Sequence, residues 1–140
     1  KSMKKGIKKI KINQINFVKK YYIPSRQKLR KWIICSIEKI FNIEITLIMA
    51  GTQRIKSINQ RYLNKDQPTN VLSFNNSTDT DKRNLNADII ICPEVIFKEA
   101  MKYSISIDTR WAHMIIHSML HLQGYNHDTY VQRNKMEKII

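Results

Sequence analysis

Short segments with strand-like patterns alternate with longer segments of helical periodicity, and this order restricts the fold of the chain most strongly. Strand patterns occupy residues 8–17, 43–49, 69–74 and 88–92, and helical patterns occupy 24–40, 52–63, 93–103, 110–122 and 130–139. The length of 140 residues suits one domain. The sequence therefore predicts a single α+β domain over residues 1–140, with a small mixed β-sheet of about four strands and about five helices on one side of it.

Local signals mark several helix ends. Thr52 is a suitable N-cap, Pro93 suits the first turn of a helix, and Asp108 or Thr109 can cap the helix that Gly124 ends. Residues 75–86 are polar and are interpreted as a connection within the domain. The two tryptophans, Trp32 and Trp111, lie on apolar helix faces and are expected in the core.

Positive charge is concentrated in the first third of the chain. The net charge is +14, and residues 1–40 contain thirteen Lys or Arg but one acidic residue. This basic N-terminal third favours a polyanionic partner, most simply nucleic acid. The alternative is that the lysines reflect A+T-rich codon usage and are only solvated. No apolar run is long enough to cross a membrane, and no membrane partner or organic cofactor is expected.

The two cysteines indicate the redox environment. Cys35 and Cys92 form no CxxC pair, and both follow isoleucines. They are interpreted as buried, reduced thiols, which favours a cytoplasmic location.

Three histidines follow a spacing that suits a metal site. His117 and His121 are four residues apart on a predicted helix, so their imidazoles share one face. Gly124 allows the chain to turn, and His127 can then supply a third nitrogen. Three imidazoles leave a fourth position for water, as in catalytic zinc sites. We expect one Zn²⁺ per chain and a metal-bound water as the nucleophile, with no further catalytic residue assigned.

His113 lies one turn before His117 and offers an alternative pair. It is eight residues, about 12 Å, from His121, so these two cannot easily share an ion. Only the pair of His117 and His121 leads into a turn and a third histidine, so His113 is expected to be a packed neighbour. Ser118 follows His117 where a zinc protease of the HExxH type has Glu, which disfavours that class.

Three blocks of this sequence resemble the YbeY family of bacterial rRNA maturation factors, described as zinc-dependent endoribonucleases. HSMLHLQGYNH at 117–127 resembles the family's H-G-x-L-H-L-x-G-Y-D-H. The segment 59–74 resembles N-x-x-Y-R-x-x-D-x-P-T-[DN]-V-L-S-F, and 87–92 resembles G-D-[IL]-x-I-[CS]. The resemblance implies that His117, His121 and His127 bind zinc. It also implies a single-strand-specific endoribonuclease that acts in 16S rRNA 3′ end maturation and ribosome quality control, with ribosomal RNA and the small subunit as partners.

The sequence departs from the family pattern at positions that concern the substrate. The family's arginine after the motif Tyr is Leu63 here, and the Asp before the third histidine is Asn126. Arginines elsewhere are therefore candidates for contact with phosphate. The candidate residues for substrate contact or for support of a ligand are Asp88, Ser73, Thr69, Arg61, Arg110 and Asn126.

Two alternatives to the endoribonuclease hypothesis remain. The chain could be a non-catalytic assembly factor, associated with the ribosome and stabilised by zinc, and Leu63 favours that interpretation. It could also be a metal-dependent hydrolase of another substrate class.

Overall fold

The chain folds into four strands and four helices over the residues that the computed structural model describes, which are 9–38, 42–63, 70–77 and 84–124. In chain order the elements are β1 Lys9–Asn16, α1 Arg26–Cys35, β2 Asn42–Met49, α2 Thr52–Leu63, β3 Val71–Asn75, β4 Asn84–Ile91, α3 Pro93–Lys102 and α4 Ile107–Leu122. The predicted α+β class with a four-stranded sheet is confirmed. The helix predicted at 130–139 lies outside the described residues.

The sheet is mixed, with strand order β1-β2-β4-β3. Strands β1, β2 and β4 are parallel, and β3 pairs antiparallel with β4 at one edge. Parallel strands need crossover connections, and α1 makes the crossover from β1 to β2. Strand β3 lies at the edge of the sheet. It contacts α4, the helix that carries the histidine pair.

Helices cover both faces of the sheet, so the expectation that all helices lie on one side was wrong. The larger core joins α1, α3 and α4 to one face, with buried residues such as Ile33, Ile89 and Trp111. A smaller core places Ile55 of α2 with Ile90 and neighbouring residues. Because successive strand residues point to opposite faces, Ile89 and Ile90 assign the two cores to opposite sides. The amphipathic pattern of α2 fixes which side of that helix is apolar, but not which sheet face it covers.

Strand β4 begins four residues earlier than predicted. Its first half, from Asn84, is polar in composition and was therefore interpreted as connection. The structure pairs Asn84 with Asn42 of β2, whose Nδ2 donates to Asn84 Oδ1 at 2.8 Å. Leu85 and Ala87 are buried between the asparagines. Alternation of buried and polar positions, rather than mean polarity, marks this strand.

Helix α4 also begins earlier, since its N-cap is Ser106 rather than Asp108 or Thr109. The Ser106 Oγ accepts a hydrogen bond from the Thr109 backbone N–H at 3.0 Å. Trp111 is fully buried and Trp32 packs against the core, as expected. Cys35 and Cys92 form no disulfide. Cys92 is buried as expected, but Cys35 is half-buried, so the expectation of burial was wrong for Cys35. None of the helices in the described ranges has the length and apolar character that a membrane span requires.

Candidate metal centre on helix α4

The centre of the candidate site is a pair of histidines on α4. The rings of His117 and His121 are 6.4 Å apart between centroids and nearly parallel, with an interplanar angle of 19°. His117 is half-buried and His121 is exposed. The four-residue spacing thus places both imidazoles on one face, as predicted. Imidazole nitrogen is a favoured zinc ligand, so the donor chemistry of this pair fits zinc.

The third predicted ligand, His127, lies outside the described residues, as does Asn126. Across the described ranges, no group of three or more His, Cys, Asp or Glu side chains is placed to hold a metal ion. The described part of the site therefore supplies two nitrogen donors, and a complete zinc site requires a ligand from the rest of the chain.

The end of α4 is fixed to the end of α1 by one side chain. Gln123 donates from Nε2 to the Ser36 carbonyl at 2.8 Å, and its Oε1 accepts from the Glu38 backbone N–H at 3.0 Å. Gly124 follows with a φ of 95°, which is unfavourable for residues with a side chain, and its N–H donates to the His121 carbonyl. These contacts set the direction in which the chain leaves the histidine pair. Sequence reasoning did not single out Gln123.

His113 is half-buried one turn before His117. Burial, followed by the nearby Arg110 charge, lowers the pKa of the His113 imidazole below its usual value. A partly buried ring of lowered pKa suits a packed neighbour of the histidine pair. Ser118 is buried where the related motif has Gly, which explains why a small residue is required there.

Arg110, one of the candidates for substrate contact, occupies the first turn of α4. Its Nε and Nη2 donate to Glu99 Oε1 of α3 at 3.0 and 2.9 Å. Asn70, directly before β3, donates to the same Glu99 oxygen at 2.9 Å. The Arg110 guanidinium also lies 5.6 Å from the centroid of the Tyr103 ring. Sequence reasoning did not single out Glu99 or Tyr103, and the contact of Glu99 with Asn70 spans 29 residues of the chain.

The other candidates are more dispersed. Ser73 alternates with the smaller-core residues Leu72 and Phe74, so its side chain points to the face on which α4 packs. Asp88 points to the opposite face, where its Oδ2 accepts a hydrogen bond from Asn76 at 3.1 Å. Arg61 is exposed in the last turn of α2. Thr69 lies outside the described residues.

A shallow depression of about 400 Å³ lies elsewhere, at the start of the parallel strands. It is lined by Lys9, Lys11, Asn42, Ile43, Glu44, Asn84, Leu85 and Asn86. None of the candidate residues lines it, so it is separate from the histidine pair.

A four-stranded mixed sheet with helices on both faces, one of which carries a pair of neighbouring imidazoles, places the chain among the α+β proteins. A sequence model of the family described as Endoribonuclease YbeY matches residues 10–140. An Endoribonuclease YbeY of Buchnera aphidicola subsp. Baizongia pistaciae is 38% identical over 135 residues, covering 93% of this chain and 87% of that protein. One from Blochmanniella floridana is 41% identical over 111 residues, covering 75% and 70%.

The chain therefore belongs to the endoribonuclease YbeY family, a family of nucleases. The fold is also similar to the solution structure of a protein from Thermotoga maritima, with a TM-score of 0.57 and 22% identity over 93% of this chain and 85% of that one. At that identity the similarity concerns the fold alone.

Proposed function

We propose that this chain is a zinc-dependent, single-strand-specific endoribonuclease of rRNA maturation, acting at the 3′ end of 16S rRNA and in ribosome quality control. The observation that carries the proposal is the nearly parallel pair of His117 and His121 on one face of α4. Family membership supports RNA as the substrate, because the related proteins are named endoribonucleases. The partners are ribosomal RNA and the small subunit. Cys35 and Cys92, which form no disulfide, support a cytoplasmic location.

The residues that would hold one zinc ion per chain are His117, His121 and His127. When bound, zinc supplies an activated water as the nucleophile for phosphodiester hydrolysis. The chain's own contribution is to orient the ligands. Gln123 anchors the last turn of α4 to the end of α1, and Gly124 permits the turn that leads toward His127.

The test compares wild-type protein with His121→Ala and His113→Ala. We expect the wild type to bind one zinc and to cut single-stranded ribosomal RNA but not a duplex. His121→Ala loses zinc and cleavage, whereas His113→Ala, one turn away on the same face, keeps both. Equal cleavage by His121→Ala would overturn the proposal, because the activity would then come from another nuclease.

A second function is favoured by Leu63, which occupies the position of the family's arginine. In that case the protein is a ribosome-associated assembly factor in which zinc only stabilises the fold. Bound zinc, a melting temperature that falls on chelation, and no cleavage with any divalent metal would support this alternative. Turnover of ester or peptide substrates above that of RNA would instead indicate a hydrolase of another class.

A further inference from the structure

We propose that Arg110, with Lys102 beside the ring of Tyr103, binds a backbone phosphate of the RNA strand whose cleaved bond lies at the histidine pair. This inference rests on the proposed function and names the part of the chain that holds the substrate next to the site. It assigns the phosphate contact to the start of α4, since Leu63 stands where the family has an arginine.

Arg110 lies on the same face of α4 as the histidines. At about 100° per residue, positions 110, 113, 117 and 121 fall within roughly 80° of one another around the helix. The opposite side of α4 is buried through Trp111, Ile115 and Met119. Arg110 and His121 are therefore the two ends of one partly exposed stripe, with the half-buried His113 and His117 between them. The Arg110 side chain is 18% exposed.

The Arg110 guanidinium is held in place and still has donors to offer. Nε and Nη2 each bond to Glu99 Oε1, and Asn70 also donates to that oxygen. Arginine has five N–H donors, so three remain beyond the two that serve Glu99. A guanidinium whose orientation is already fixed loses little conformational entropy when it binds a phosphate.

A second cation contacts the same aromatic ring as Arg110. Arg110 Cζ and Lys102 Nζ are each 5.6 Å from the centroid of the Tyr103 ring. Tyr103 is 53% exposed, and Ser104 directly after it has a φ of 55°, which turns the chain from α3 toward α4. Arg110 and Lys102 are two cations and Glu99 is one carboxylate, so the three side chains together carry a net charge of +1. This charge suits the binding of a phosphodiester.

The distance between Arg110 and the histidine pair allows a single RNA strand to contact both. Arg110 and His117 are seven residues apart, or about 10 Å along a helix. At a rise of roughly 3.4 Å per nucleotide in a stacked strand, this is about three nucleotides. A phosphate at Arg110 would therefore belong to the same strand as the bond cleaved at the histidines, a few nucleotides away.

The alternative is that Arg110 serves only the ion pair with Glu99. Neutralising each partner of the pair in turn distinguishes this alternative from a phosphate contact. Binding of a 2′-O-methyl oligonucleotide, which cannot be cleaved, is measured by fluorescence anisotropy across a salt series. Arg110→Gln should bind roughly three- to tenfold more weakly, and the slope of log affinity against log salt should fall by about 0.7, the value for one single-strand phosphate contact. Glu99→Gln breaks the same ion pair but should bind as well as wild type or better.

Matched variants keep the test decisive. Lys98→Gln removes the same charge from an exposed pair with Glu94 on α3, so it should leave the slope nearly unchanged. Arg110→Lys keeps the charge and should keep the slope, even if Arg110→Gln folds poorly. Equal weakening by Arg110→Gln and Glu99→Gln at an unchanged slope would overturn the proposal, as would an effect of Arg110→Gln no larger than that of Lys98→Gln.

Cleavage assays separate this inference from the function on which it rests. With zinc-loaded protein, Arg110→Gln should raise KM for RNA while kcat stays within about twofold. Cleavage by wild type with an unchanged KM in Arg110→Gln would overturn the phosphate contact alone. Absence of cleavage by wild type, together with binding that depends on Arg110, would overturn the nuclease function alone.

Discussion

Ser106→Ala should destabilise the protein through the helix that carries the histidines. The Ser106 hydroxyl caps α4 by accepting the Thr109 N–H at 3.0 Å, and alanine offers no acceptor. Loss of an N-cap of this kind costs about 1 kcal/mol. The Ser57 side chain provides the matched control, because it is exposed in the middle of α2. Ser57→Ala should stabilise α2 by a few tenths of a kcal/mol, because alanine has the higher helix propensity.

The same substitution should therefore change stability in opposite directions at the two positions. The free energies of unfolding of the two variants should differ by about 1.5 kcal/mol. With a urea m-value of about 1.5 kcal/mol/M for a chain of this size, their midpoints should differ by about 1 M. Urea unfolding followed by far-UV circular dichroism measures this, and the m-values should be unchanged. A Ser106→Ala midpoint equal to or above that of wild type would refute the cap assignment and the observed start of α4.

Two further predictions concern the ends of α4. The Lys28 ammonium holds the pKa of Asp108 below its usual value, with further support from the Tyr22 hydroxyl. The pair stabilises the fold above the unfolded pKa of Asp108, near 4, and this small stabilisation is lost as pH falls through the folded pKa. Asp108→Asn should therefore flatten the dependence of the free energy of unfolding on pH between pH 5 and 3, and an unchanged dependence would contradict this. Gly124→Ala should lower the free energy of unfolding by about 1–2 kcal/mol, because the φ of 95° at this position is unfavourable for alanine. The zinc affinity, measured by competition with a chelator, should fall as well. An unchanged free energy of unfolding would show that the turn adapts without strain.

The sequence was sufficient for those features that depend on residues close together in the chain. Helix α2 covers the predicted residues, because its amphipathic period is local. Thr52, however, is its first helical residue rather than its N-cap, since the Ile55 N–H donates to the Gly51 carbonyl. His117 and His121 share a face for the same reason. Pro93 opens α3 as expected.

Features that depend on distant partners were not predictable. The beginning of β4 is a strand because Asn84 pairs with Asn42 of β2, forty-two positions earlier. From its polar composition alone, the sequence predicts a connecting loop there instead of a strand. The contact of Glu99 with Asn70 and Arg110 likewise joins three elements, and no local pattern marks it.

Helix α4 is held at both ends by α1 and the residues beside it, and this fixes the position of the helix that carries the exposed His121. Asp108 at its start binds Lys28 and Tyr22, and Gln123 at its end binds the backbone after α1. Between these anchors the helix is fixed by the buried side chains on its inner face, and rotation about its axis would break both anchors together. The outer face, from Arg110 to His121, therefore keeps a constant spacing. Because the spacing is constant, a phosphate bound at Arg110 would position the RNA strand at the histidine pair. Arg110 would need to fill this role in a chain that has Leu63 at the family's arginine position.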